Sequence, residues 1–171
     1  MASKRSNAGP STTWRVLGLI AVLGAAGLGT FLLMLRGWSD VRTADGEEAT
    51  DAIESALQEA GPGPAYVTID GSGTVHVRRD LEGPEPVDLE TLSVFAWRPA
   101  EERLVRVDVP FWFVRLKMND AFNLGTLTAL LVGDWTNLDL DVTEDDLMRR
   151  GPGLVLDQAW TDGARLVLWT R

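Results

Sequence analysis

The chain has 171 residues, 45% of them hydrophobic, with 16 Lys and Arg against 25 Asp and Glu, one His and no Cys, for a formal charge of −9. This excludes a disulfide scaffold, a cysteine-ligated metal site and thiol catalysis, and the chain is too apolar to be disordered. The acidic balance also removes the basic face with which a nucleic-acid binder displaces phosphate counterions, so nucleic acid is not an expected partner.

The charges are segregated. Residues 1–39 hold four bases (Lys4, Arg5, Arg15 and Arg36) and no acid, a net +4; the other 12 bases and all 25 acids follow, a net −13. From Val16 to Leu35 run twenty residues without a charge, with Thr30 as the only hydroxyl. At about 1.5 Å per residue a helix of that length covers roughly 30 Å, the hydrocarbon thickness of a bilayer. Trp14 and Arg15 at one end, and Arg36 and Trp38 at the other, have the chemistry of membrane-interface anchors. Residues 16–36 are therefore expected to form a single transmembrane helix. A cleaved signal peptide is the alternative, but its apolar core is only about 7–15 residues and ends in a small-residue cleavage site. Here the run is longer and is followed by Arg36-Gly37-Trp38-Ser39-Asp40.

Lys4, Arg5 and Arg15 on the short leading tail, against Arg36 and Arg42 beyond the span, orient residues 1–15 to the cytoplasm and the rest to the periplasmic or extracellular side. Two Lys among 16 bases, with many Gly, Ala and Asp, is a composition associated with high-GC bacterial genomes, so the membrane is expected to be the bacterial inner (plasma) membrane. Within the span Gly18, Ala21, Ala25 and Gly29 share one helical face, and small residues in such a stripe let a second helix approach closely. Gly24, Ala26 and Gly27 lie on other faces, so a generally Gly/Ala-rich anchor is the competing explanation.

Residues 37–64 read as a juxtamembrane acidic helix and linker. Asp45 has the capping spacing to Glu48, and Ala49, Ala52, Ile53, Ala56, Leu57 and Ala60 form one apolar stripe before Gly61-Pro62-Gly63-Pro64 ends the helix. Because the stripe is mostly alanine, it reads as a stalk or as a helix laid against a neighbour. From residue 65 to 171 the pattern predicts an extracytoplasmic α+β domain of about three β-hairpins with two or three short helices covering one face. The hairpins are Tyr66–Asp70 with Thr74–Arg78, Leu92–Trp97 with Leu104–Val109, and Leu154–Gln158 with Leu166–Thr170. Helical material is expected after Pro110, in the Leu124–Val132 run, and from Thr143 to Arg150, where Thr143 and Asp146 have helix-start spacing.

Little in the sequence points to chemistry. His76 is the only histidine and sits in a predicted strand, with no second His or Cys to share a metal. The acids Asp134, Asp139, Asp141, Glu144, Asp145 and Asp146 lack the central glycine of a calcium loop and read as helix capping and a solvated face. Gly71-Ser72-Gly73 and Gly151-Pro152-Gly153 are turns without the Lys-Ser/Thr of a phosphate loop. No catalytic, cofactor-binding or metal residues are assigned. Of the seven tryptophans, Trp97 and Trp169 suit a core, and Phe111, Trp112 and Phe113 read either as further core packing or as a candidate partner-facing or headgroup-facing aromatic patch.

Two functions fit. The first is a non-catalytic, single-pass accessory or structural subunit that stabilises a larger membrane complex, such as a respiratory or photosynthetic assembly, through neighbouring transmembrane helices or subunits and the lipid bilayer. The alternative is a membrane-tethered extracytoplasmic binding or sensing module.

Overall fold

A computed structural model describes residues 37–117, Leu124 and residues 140–171. The tail 1–15, the span 16–36 with its stripe Gly18, Ala21, Ala25 and Gly29, the anchors Trp14, Arg15 and Arg36, and Asp134, Trp135 and Asp139 lie outside the described residues, as does the Leu124–Val132 run beyond Leu124. Among the described residues no helix is long and apolar enough to cross a membrane.

The compact unit starts at Trp38 and runs to Arg171. It is α+β, built on one seven-stranded sheet. In chain order the strands are β1 (Ser39–Thr43), β2 (Val67–Ile69), β3 (Val75–Val77), β4 (Thr91–Arg98), β5 (Arg103–Pro110), β6 (Gly153–Ala159) and β7 (Arg165–Thr170). Their order across the sheet is β1-β5-β4-β7-β6-β2-β3. The described helices are α1 (Gly46–Ala60), α2 (Phe111–Lys117) and α3 (Glu144–Arg150).

All three expected hairpins form, as β2–β3, β4–β5 and β6–β7, each antiparallel. Turn chemistry sets them. In β2–β3 the Asp70 carboxylate accepts from the Ser72 amide at 2.8 Å and the Thr74 amide at 3.0 Å, so the side chain closes the turn. In β6–β7 Asp162 accepts from the Ala164 amide at 3.0 Å, while Gly163 takes a left-handed φ of 84°. A Cβ on Gly163 would lie 3.3 Å from the Pro99 ring in addition to straining the backbone. Gly163→Ala is therefore expected to cost about 1–2 kcal/mol, seen as a lower urea midpoint at unchanged slope.

Two parts of the architecture differ from the sequence expectation. Residues 37–64 are not a linker outside the domain. β1 pairs with β5 along its full length, from Ser39 opposite Val107 to Thr43 opposite Arg103, and α1 packs on the sheet. A polar edge strand carries almost no hydrophobic pattern of its own, because its pairing is supplied by the open edge of its neighbour.

The second difference is that helices cover both faces of the sheet, not one. Leu92, Val94 and Ala96 of β4 point the same way as Val105, Val107 and Val109 of β5 and as Leu166 and Leu168 of β7. They pack against Phe111, Phe113 and Val114 of α2, Leu147 of α3, and Leu124. The alternate residues Phe95, Trp97, Leu104, Val167 and Trp169 face the other way, onto Ala49, Ile53, Ala56 and Ala60 of α1. The alanine stripe did not signal this burial because the apolar area sits opposite, on the aromatic rings of the sheet. Small helix residues then let the two layers close to native packing density. Coverage on both faces explains why β4 is buried from Leu92 to Trp97 without alternation.

The helix ends obey local rules. The Asp45 carboxylate accepts from the Glu48 amide at 2.8 Å, as the spacing predicts, while the Glu48 carboxylate pairs with Arg42 at 3.2 Å. α3 has a full capping box: the Thr143 hydroxyl accepts from the Asp146 amide at 3.2 Å, and Asp146 accepts from the Thr143 amide at 2.9 Å.

Candidate interaction surface

Three aromatic rings meet where the compact unit begins. Trp38 stands edge-on to Phe113 at 5.6 Å between centroids and to Trp112 at 6.2 Å, and Trp112 is edge-on to Phe113 at 5.9 Å. These are favourable T-shaped contacts. Successive residues of a helix point about 100° apart, so Phe111-Trp112-Phe113 cannot face one partner together. Phe111 and Phe113 are each 2% exposed and belong to the core, so of the two readings of the trio core packing holds for these two residues. Trp112 alone of the three is exposed, at 54%, and Leu116, one turn further along the same side of α2, is 66% exposed. Arg115 beside them pairs with Glu144 at 2.7 Å, which ties α2 to the first turn of α3. Trp38, expected as an interface anchor, is half-buried against the core and props the Trp112 ring outward.

The polar candidates resolve into structural roles. His76 Nε2 lies 3.2 Å from the Asp70 carboxylate, on which the Ser72 hydroxyl also donates at 2.6 Å. Both bonds end on the carboxylate, so the imidazole does not activate the hydroxyl, and a nucleophilic relay requires the histidine in the middle. The Ser72 hydroxyl, then His76 and the Thr74 and Ser72 amides, hold the Asp70 carboxyl well below its usual pKa. In the acidic segment, Glu144 engages Arg115, Asp145 engages Arg149 at 2.6 Å, and Asp146 engages Arg79 at 2.6 Å. Asp141 is exposed. No group of three or more metal-ligating side chains occurs among the described residues.

Two polar networks were not visible in the sequence. In the first, the fully buried Tyr66 donates its hydroxyl to Glu82 at 2.6 Å, and Arg79 bridges Glu82 and Asp146. Burial, then the bond to Glu82, pushes the Tyr66 phenol far above its ordinary value. Burial also acts to raise the Asp146 pKa, but the Thr143 amide and Arg79 outweigh it and leave the carboxyl lowered. In the second, Arg106 makes a two-pronged contact with Glu59 of α1 at 2.8 and 2.7 Å, and it donates to Asp108 at 3.0 Å. Its guanidinium lies 5.4 Å from the Trp169 ring centre. Ser93 donates to Asp108 at 2.5 Å, and Arg171 approaches the same carboxylate at 3.2 Å. The alternation of β5 did mark Arg106 and Asp108 as sharing a face, but not that α1 covers that face.

No family model matches the chain, and neither the curated proteins nor the solved structures contain a match.

Proposed function

We propose that the chain is a non-catalytic, single-pass protein of the bacterial inner membrane, with its α+β domain on the periplasmic side, acting as an accessory or structural subunit of a larger membrane complex. The observation that carries this reading is the spacing between the uncharged run and the fold. The run ends at Leu35 and the compact unit begins at Trp38, so only Arg36 and Gly37 separate them. A sensor that acts alone gains reach from a long, flexible tether, whereas a subunit that braces neighbouring proteins needs its globule close to its anchor. The internally paired networks around Arg79 and Arg106 suit a rigid brace, because their charges are spent on holding elements of the fold together. Contact with partner helices falls to Gly18, Ala21, Ala25 and Gly29.

Gentle detergent extraction of native membranes, followed by native electrophoresis and mass spectrometry of the band, tests this reading. The chain is expected to migrate with other integral subunits, and Gly18→Ile with Gly29→Ile is expected to release it from them while it stays in the membrane. Migration as a lone monomer, or full function with an unrelated span in place of residues 16–36, would favour the tethered binding module instead.

A further inference from the structure

We propose that the Trp112–Leu116 side of α2 rests in the lipid headgroup layer of the membrane that anchors the chain, so that the domain lies against the bilayer. The inference depends on the anchored reading above.

Three observations, with one general property of bilayers, converge on lipid as the occupant. Trp112 and Leu116 are large apolar side chains left more than half exposed next to each other on one helix, in a domain that buries most of its others. The Trp112 ring is braced edge-on by Trp38 and Phe113, so its outward position is built into the fold. Trp38 itself is three residues from Leu35 in the chain, a contour of at most about 11 Å. The interfacial layer on each side of the hydrocarbon is roughly 5–8 Å thick, and tryptophan is enriched there because its ring is apolar with one polar N–H.

The absence of cysteine makes the test direct, because one introduced thiol is unique in the chain. Full-length protein carrying Leu116→Cys is spin-labelled, reconstituted into phosphatidylethanolamine/phosphatidylglycerol vesicles, and probed with oxygen, which partitions into lipid, and with a water-soluble nickel chelate. The exposed turn residue Thr161, substituted as Thr161→Cys, serves as the aqueous reference. At position 116 oxygen collisions are expected to exceed nickel collisions, with the order reversed at 161. Adding Trp112→Glu is expected to move the 116 label towards the aqueous ratio. A 116 label as accessible to nickel as the 161 label overturns the proposal. So does a label shielded from both reagents in micelles and vesicles alike, which means protein covers the patch. Dipolar broadening that vanishes on dilution with unlabelled chain also overturns it, since the occupant is then a second copy. If the chain stays with the vesicles through an alkaline carbonate wash while the label is wet, only this proposal fails. Release by the wash removes the anchored reading as well.

Discussion

Trp169→Ala is expected to remove about 3–5 kcal/mol of folding stability, the range for emptying a large aromatic site in a core. A domain of this size has roughly 5–15 kcal/mol in total, so the variant loses a large share of its stability. Trp169 is fully buried on β7, between Ser93 of β4 and Leu154 of β6, under the alanine face of α1. Truncation leaves a cavity that a helix bearing only alanine and one isoleucine on its buried face cannot fill, and it takes the ring from under Arg106. Trp169→Phe separates packing from polar effects. The indole N–H has no hydrogen-bond partner, so phenylalanine keeps most of the filled volume and discards an unsatisfied donor, which offsets part of the lost area. Urea titration followed by near-ultraviolet circular dichroism should show a large drop in midpoint for alanine and a small one for phenylalanine. Equal drops would mean that the ring is not a packing centre.

Arg106→Ala is expected to cost about 2 kcal/mol at neutral pH, less than the 3–5 of a fully buried pair because the site is about one third open to water. The variant leaves Glu59 and Asp108 with only Arg171, at 3.8 and 3.2 Å, as a shared cation. The sign of the pH dependence follows from those carboxyls. The Arg106 hydrogen bond lowers the Glu59 pKa against a smaller opposing effect of burial. For Asp108 burial acts upward, but Ser93 and Arg106 prevail and the net shift is downward. Groups with lowered folded pKa values stabilise the fold above their unfolded values, about 3.9 for Asp and 4.3 for Glu, and that contribution is lost as the pH falls through the folded values. The native domain should therefore lose stability below about pH 4. The gap between native and Arg106→Ala should narrow there, since protonated carboxyls no longer need the guanidinium. Unfolding midpoints at pH 7, 5 and 3 measure this, and a gap that widens on acidification would contradict it.

What could be read from the sequence was whatever a local pattern encodes. Val105, Val107 and Val109 alternate with Arg106 and Asp108, and Gly71-Ser72-Gly73 and Thr161-Asp162-Gly163 mark reversals, so the three hairpins were legible. So was α3, since Thr143 and Asp146 at three-residue spacing make a capping box whatever the tertiary context. The rest depended on distant partners. Arg79 meets Asp146 from 67 residues away, and Arg106 meets Glu59 from 47. No short window links such pairs. β1 has one aliphatic residue, Val41, and becomes a strand because β5 offers it an edge. At the candidate surface, composition singled out the aromatic trio, but helical geometry divides it, with Trp112 turned outward and its two neighbours inward. Leu116, the most exposed large apolar side chain among the described residues, carries no mark in the sequence, because density of apolar residues does not reveal which side of a short helix is uncovered.

The position of β7 in the sheet bears on how the chain is made. Residues 165–170 form the strand between β4 and β6, in the middle of the order, although they are the last of the seven to leave the ribosome. Until they arrive, the inner edge of β4 has no neighbour, and the hairpin β4–β5 presents open backbone and two apolar faces. Assembly cannot advance strand by strand behind the growing chain. It completes in one late step, with the earlier hairpins held apart until the final one slots between them.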